Sequence, residues 1–543
     1  MDCTASRIPY HNANILSGIV LDYLAKAEKL QDFVAHSTDL TGIKESITAR
    51  QKFPTDRSTL VEQLELQYRQ VAASSKVVAN IKSLRDVNTF TITTAHQNNI
   101  FTGPLYFIYK IIHAIRLAET LKAEFSEYHF VPVYYIGSED ADFAELNHIF
   151  VEGTRLEWNT TQTGAVGRMK IDKGVTALLT QLNGRLSVLP YGNDIMQALK
   201  DCYQEGRSVQ DATFRFVHHL FSDYGLVVLL PDNAALKSLM TPVFIDDLEN
   251  QAASAVVTET ATRMEENGYK VQAHPREINL FYLEDNIRER IERNGDTWHV
   301  LNTAIQFDRT ALESELNQHP ARFSPNVILR GLYQETILPN IAFIGGGGET
   351  AYWLQLKDLF VKYQVPFPVL VVRNSFLLIE EKEQERIEKL GLSVTDLLTN
   401  EEKLMNAIVR RDTSNKLMLK DSIDAAEALY ASIHDQAAAI DGTLGKHVNA
   451  LKTQAVYRLK ELEKKMLRAE KRKFEDQRRQ LTAIREKLYP GNRLQERSES
   501  FLPFYAKYGP GFIDCLYKNS LGLEQEFTVL EMKLKTENAK LRT

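Results

Sequence analysis

The stretch Ile341 to Gln355, IAFIGGGGETAYWLQ, limits the folds open to this chain more than any other. Four apolar residues, Ile341 to Ile344, are too few for a helix and suit a buried strand. Gly345, Gly346, Gly347 and Gly348 follow, and then Tyr352, Leu356, Leu359, Phe360 and Tyr363 recur at helical spacing. A strand that turns through glycines into a helix brings bare backbone N–H groups and a positive helix end up to an anion. Glycine leaves out the Cβ that obstructs a left-handed turn and close ligand approach. The loop therefore reads as a binding loop, with a ligand-free tight turn as the alternative. Gly346, Gly348 and Ala351 also trace an incomplete dinucleotide fingerprint. The next strand ends in Arg373 instead of an acid, which disfavours NAD and leaves only an NADP reading.

Other segments deliver polar residues in the same way. In NTFTITTAHQNNIFTGPLYFIYKII, Phe90 and Ile92 alternate with threonines as in a strand, and Leu105, Ile108, Ile112 and Ile115 then follow a helical period. His96, Gln97, Asn98 and Asn99 fall in the loop between, with Thr102 or Gly103 as cap of the helix and Pro104 in its first turn. A second strand, Val133 to Ile136, leads into GSEDADFAELNH, where Glu139, Asp140, Asp142 and Glu145 crowd together. Crowded carboxylates repel, so one can be raised to serve as a base, or they can hold Mg²⁺; a solvated acidic helix start is the alternative. Leu226 to Leu230 reads as a third strand before Asp232. Asn326 to Leu329 reads as a further short strand leading to Arg330, Tyr333, Gln334 and Glu335, and Val369 to Val372 as the last sheet strand, delivering Arg373. If these strands are parallel, one rim collects a histidine, acids, an anion cradle and a cation, which is the makeup of a catalytic crevice.

From Glu380 strand signals stop. Leu444, Val448, Leu451, Ala455, Leu459, Leu462 and Met466 repeat at three- and four-residue steps, shift register around Glu470 to Lys473, and resume at Phe474, Leu481, Ile484 and Leu488. This predicts a coiled coil with one discontinuity, antiparallel to a preceding helix across Asp441-Gly442. The preceding helix is too short to cover its partner, so a second subunit is expected on the rest of the seam. The basic run Arg468 to Arg479 reads as a wet helix face, with phosphate contact as the alternative. The predicted organisation is an α/β core in three pieces, 1–150, 213–234 and 326–379. It carries two connective insertions, 151–212 and 235–325, and is followed by a helical coiled coil, 380–490, and a tail, 491–543, that packs back on the core.

At 543 residues the chain has room for two to four domains, and a net charge of -6 argues against general nucleic-acid binding. Cys3, Cys202 and Cys515 are scattered, with no CxxC pair and no spacing shared with histidine, which excludes a disulfide scaffold and a cysteine zinc site and fits a reducing cytosol. The opening residues carry no signal-peptide pattern, and no apolar run is long enough to span a membrane, so a cytoplasmic protein is expected.

The segments TAHQNNIFTGPLYFIYK, IGSEDADFAELNH, LRGLYQETILPNIAFIGGGGETAYWLQL, RAEKRKFEDQRRQ and LYPGNRLQERSESFLPFYAKYGP, in this order, resemble the cysteine-adding enzyme family of bacillithiol biosynthesis, BshC. The resemblance implies a Rossmann-like core with two connective inserts and a coiled coil that pairs two subunits. It implies a cytosolic ligase that adds cysteine to the amine of glucosaminyl-malate, with a bound adenine nucleotide (ATP or ADP with Mg) and no resident protein-bound metal. The chain departs from the family pattern at Ala141, where a histidine is common, and at Gly331 and Gly347, where prolines are. On this reading His96, Glu139, Asp140, Asp142 and His148 are the catalytic candidates, with Asp140 or Glu139 as base. Substrate contacts are expected from Gln97, Asn98, Thr102, Gly103, Arg330, Tyr333 and Gln334, from Gly345 to Glu349, and from Tyr352, Trp353 and Arg373. No Walker A lysine motif is present. An NADP-dependent oxidoreductase and a non-enzymatic coiled-coil scaffold are the competing readings.

Overall fold

The structure is a computed structural model that describes residues 1–533. It divides into two compact units, one formed by Met1–Leu378 together with the chain from Leu494, the other by Ile379–Arg493.

The first unit opens on strand β1 (Asp2–Pro9), which no sequence pattern predicts. Its sequence, DCTASRIP, alternates polar and small residues, with Ile8 its one buried side chain, so it carries no apolar period of two. The helices Leu40–Gln51 and Arg57–Tyr68 start on side-chain caps: Asp39 accepts the Gly42 N–H at 3.0 Å and Asp56 the Thr59 N–H at 3.0 Å. Strands β2 (Thr89–Gln97) and β3 (His129–Gly137) flank the helix Tyr106–Glu124. A hairpin of β4 (His148–Val151) and β5 (Thr154–Glu157), then helices, lead to β6 (Val227–Leu229).

The next segment forms its own antiparallel sheet from β7 (Leu280–Glu284), β8 (Ile287–Asn294), β9 (Thr297–Val300), β10 (Gln306–Asp308) and β11 (Phe323–Pro325). The β8–β9 turn is tight: Asn294 pairs with Thr297, and Gly295 takes φ 60°, which glycine adopts without a Cβ clash. Residues Val327–Ile337, read in part as a strand from sequence, are helical because Asn326 accepts the Ile328 N–H at 2.8 Å as N-cap. Strands β12 (Asn340–Gly345) and β13 (Val369–Val372) follow. β14 (Ser375–Glu380) and the distant β15 (Glu526–Lys533), neither anticipated, join β1 in a third sheet of order β1-β15-β14.

The central sheet has the order β13-β12-β2-β3-β6, with every neighbouring pair parallel. β12 and β13 are buried along their whole length, as strands covered on both faces must be. From β2 the chain steps to β3 and β6 on one side, then to β12 and β13 on the other. The stepping direction thus reverses between β2 and β12. Open parallel sheets bind ligands in the crevice beyond the strand ends at such a reversal. Cys3 and Cys515, unrelated by spacing in the sequence, are joined as a disulfide, which corrects the expectation of isolated cysteines; Cys202 is free and buried.

In the second unit the helices Lys420–Ile440 and Gly442–Lys471 form an antiparallel hairpin, with Asp441 capping the second through the Thr443 N–H at 2.8 Å. The register shift appears as a single 3-10 turn, Arg472–Phe474, before the helix Glu475–Leu488. Leu481, Ile484 and Leu488 are buried, whereas Leu444, Leu451 and Leu462 are exposed and the helix Lys420–Ile440 buries no residue.

Candidate active site

The β2/β12 reversal opens into a cavity of about 700 Å³, a volume suited to a small-molecule substrate. His96 and Gln97 reach it from the end of β2, and Asp140 and Asp142 from the loop after β3. Gly346, Gly348 and Glu349 reach it from the end of β12, Arg330 and Tyr352 from the two helices flanking that strand, and Arg373 from the end of β13.

The other candidates lie elsewhere. Glu139 points beneath the rim, bonded to Lys237 Nζ, which also donates to Asp232 at 3.1 Å. Burial raises the Glu139 carboxyl even against the Lys237 charge, so the raised acid among the crowded carboxylates is a sequestered one. His148 begins β4, outside the cavity, with Nδ1 3.2 Å from Asn147 Oδ1. Tyr333 is buried and donates to the Pro231 carbonyl at 2.7 Å; Gln334 is buried and donates to Glu335 at 2.9 Å. Trp353 stacks on Phe343 at 4.3 Å between ring centroids, as core. Asn98, Thr102 and Gly103 form a tight loop behind the wall in which Phe101, Thr102 and Gly103 all take positive φ. Thr102 does not cap the helix Tyr106–Glu124, because the Leu105 N–H there bonds to the Glu499 carbonyl at 2.8 Å.

The glycine loop differs from the expected anion cradle. The Gly346 N–H is taken by Glu349 Oε2 at 2.7 Å, and the Glu349 carboxylate is also paired with Lys110. Gly347 packs against Leu16 and Val20, and a Cβ on Gly345 would meet Phe343 and Glu349. The glycines therefore let the strand, the helix and Glu349 close on one another, and the chain supplies its own anion.

The two expected cations are engaged as well. Arg330 holds Asp140 through both guanidinium nitrogens, with the Nη1–Oδ2 bond at 2.9 Å. Burial pushes the Asp140 carboxyl up, but Arg330, with Arg288 and Gln97 behind it, outweighs that and holds it below the ordinary carboxylate range. Arg373 is gripped by Glu496 at 2.7 and 3.1 Å, and its guanidinium lies 4.9 Å from the centre of the Tyr106 ring. Its Nε has no partner.

The His96 ring sits between Tyr106 and Phe107, at 5.1 and 5.3 Å between centroids. Burial first, then the Lys110 and Arg373 charges, drive its imidazole well below its ordinary value, so it is neutral near pH 7. Nδ1 accepts the Gln97 N–H at 2.8 Å, which places the proton on Nε2, and that N–H has no partner among the described residues. His96 is thus built as a hydrogen-bond donor and not as a base.

The sequence reading missed several wall residues. Lys110 lies inside an apolar helix, and its Nζ reaches the Ala95 carbonyl at 2.8 Å. His274, Arg276, Arg288 and Arg290 come from the second inserted segment, and Arg497 from the returning C-terminal one. Only the RER alternation of Arg288 to Arg290 gave a local signal, two basic residues on one face of a strand.

Residues 1–374 match the family model described as "Bacillithiol biosynthesis BshC, N-terminal Rossmann-like domain", and residues 376–532 match "Bacillithiol biosynthesis BshC, C-terminal coiled-coil domain". Three similar relatives carry the name "Putative cysteine ligase BshC". The protein from Cytophaga hutchinsonii is 39% identical, over 92% of this chain and 94% of the relative. That from Flavobacterium johnsoniae is 38% identical, over 96% and 99%, and that from Flavobacterium psychrophilum 36% identical, over 96% and 99%.

Proposed function

Since this chain belongs to the BshC family of bacillithiol biosynthesis, matched through both of its domains, we propose that it is a ligase joining cysteine to the amine of glucosaminyl-malate in the last step of that pathway. The observation that carries the reading is the meeting of an unpartnered His96 Nε2–H, an ionised Asp140 and the Arg373 Nε in one cavity at the sheet reversal.

Amide formation needs a held amine and N–H groups aimed at the oxygen where charge develops. His96 Nε2–H and Arg373 Nε–H are the donors for that oxygen. Both are buried, so each acts in a medium where a hydrogen bond to an anion is strong. Asp140, kept ionised by Arg330, anchors the substrate ammonium, and its depressed pKa makes it a better anchor than proton acceptor; the ammonium gives its proton to solvent, the neutral amine attacks, and the group that activates the carboxyl leaves with the electron pair of the broken bond. Activation of a free carboxylate calls for a nucleotide with Mg²⁺ or an already activated donor. The arginines of the cavity suit phosphate charge. Its carboxylates do not suit a metal, since Asp140 and Glu349 are paired. Among the described residues no group of three or more Asp, Glu, His or Cys side chains could hold a metal ion.

We assign the uncovered apolar strip of the second unit, with Leu429, Ile433, Leu444 and Leu451 exposed, to a second copy of the chain, to be checked by sedimentation.

The test is metabolite profiling of a strain lacking the protein. The expected result is accumulation of glucosaminyl-malate and loss of the thiol, restored by the wild-type chain but not by His96→Ala or Asp140→Asn chains that keep their circular dichroism. Normal thiol levels in the deletion strain would overturn the reading.

A further inference from the structure

We infer that the anionic part of the substrate is held by Arg276, just before β7, by Arg288 and Arg290 of β8 and by Arg497 of the returning C-terminal segment, and not by Arg330 and Arg373. The inference deepens the reading above and rests on the cavity being the substrate site.

Charge pairing makes the division. Three cations at the cavity already have anions: Lys110 has Glu349, Arg330 has Asp140, and Arg373 has Glu496. Removing those pairs leaves Arg276, Arg288, Arg290 and Arg497 facing the cavity, against Asp142 as the one unpaired acid lining it. A wall with that excess suits a substrate carrying two carboxylates, and guanidinium forks match carboxylates in geometry as well as charge.

Arg288 shows that this wall is built. Its side chain is only 9% exposed, its guanidinium lies 3.8 Å from the centre of the Phe281 ring, and its Nε has no partner. The nearest acid atom, Asp140 Oδ1, is 3.9 Å away and already bonded by Arg330. A buried guanidinium N–H left without an acceptor is costly unless a ligand or water takes it. Arg290 lies two residues on, on the same face of β8, and its one ion pair is to Glu292 at 4.0 Å.

Arg276 is held by its backbone. The Asn279 Oδ1 accepts the Arg276 N–H at 3.1 Å, and the Asn279 Nδ2 donates to the Arg276 carbonyl at 3.0 Å. Asn279 is in turn fixed by the buried Asp247 at 2.6 and 3.1 Å, and accepts from the Asn326 Nδ2 at 3.0 Å. Arg497 is placed by the residue before it, since Glu496 also takes the Phe376 N–H at 3.3 Å and fixes the turn.

The test uses the full-length protein and two probes, glucosaminyl-malate and methyl glucosaminide, which lacks both carboxylates. Calorimetry and initial rates are measured for Arg288→Gln and for the double variant Arg276→Gln/Arg497→Gln, whose exposed side chains can be removed without disturbing the core. The expected result is a KM and Kd for glucosaminyl-malate raised tenfold or more in each, kcat within threefold, a weaker salt dependence of binding, and no change with methyl glucosaminide. Arg288→Lys should recover part of the affinity, which a purely packing role for Arg288 would not give. Unchanged Kd for glucosaminyl-malate in the double variant overturns the inference. Variant-sensitive binding by a wild-type enzyme that forms no cysteine amide supports the arginine wall and overturns the ligase reading instead.

Discussion

Arg330 and Arg373 belong to the rim of the parallel sheet, Arg290 to the inserted antiparallel sheet and Arg276 to the segment leading into it, and all four face one cavity. The rim pair is locked: each guanidinium meets a carboxylate of its own chain. The inserted pair is exposed and nearly free. The same side chain therefore does two different things around one cavity. Where the backbone is buried and fixed, arginine joins distant segments and sets the protonation of an acid. Where the chain is solvated, it keeps its charge for something that arrives from outside.

The largest effect should come from unlocking a rim arginine. Glu496→Gln leaves Arg373 buried beside a neutral group and should cost about 3–5 kcal/mol in urea denaturation; a cost near that of a surface change would erase the distinction. Next is the support under the free arginines. Burial pushes the Asp247 carboxyl up to about 6, despite the Asn279 hydrogen bonds that oppose it. A raised folded pKa favours the neutral form, so its contribution is fully present below the ordinary value of 3.8 and is lost as pH rises through about 6. Linkage over roughly two units amounts to about 3 kcal/mol. Asp247→Asn should therefore flatten the stability profile between pH 4 and 7. Arg330→Gln removes the charge that holds Asp140 down, so the acid limb of kcat/KM should move to higher pH by about one unit or more. Arg290→Gln should be the smallest, within about 0.5 kcal/mol of wild-type stability; a larger loss would mean that the inserted arginines are structural too.

These locks explain what the sequence could and could not reveal. The Rossmann-like core was legible because Ile341 to Ile344, Val133 to Ile136 and Val369 to Val372 are short apolar runs between turn residues, and each puts its polar loop at a carboxyl end. Its polar complement was not. Asp140 and Arg330 are 190 positions apart and Arg373 and Glu496 123, and nothing local announces either pair. Lys110 was hidden by the apolar helix around it, whose period points the wrong way for a charge. Asn326 opened a presumed strand because its role as a cap appears only when the N–H groups ahead of it are seen to be free. The Arg288 and Arg290 alternation was visible, but a hairpin read in isolation has no cavity to face. β1 was missed since its partner lies at the other end of the chain.

That last pairing has a consequence for how the protein is made. During synthesis β1 must wait for β15, more than 500 residues behind it, before Cys3 to Ile8 find their register against Met532 to Phe527. At roughly 5–20 residues per second the delay is on the order of half a minute or longer. Until then an unpaired strand edge is open to any neighbouring nascent chain. This sheet cannot close before β15 is made, and losing β15 to early termination would leave β1 without its partner strand.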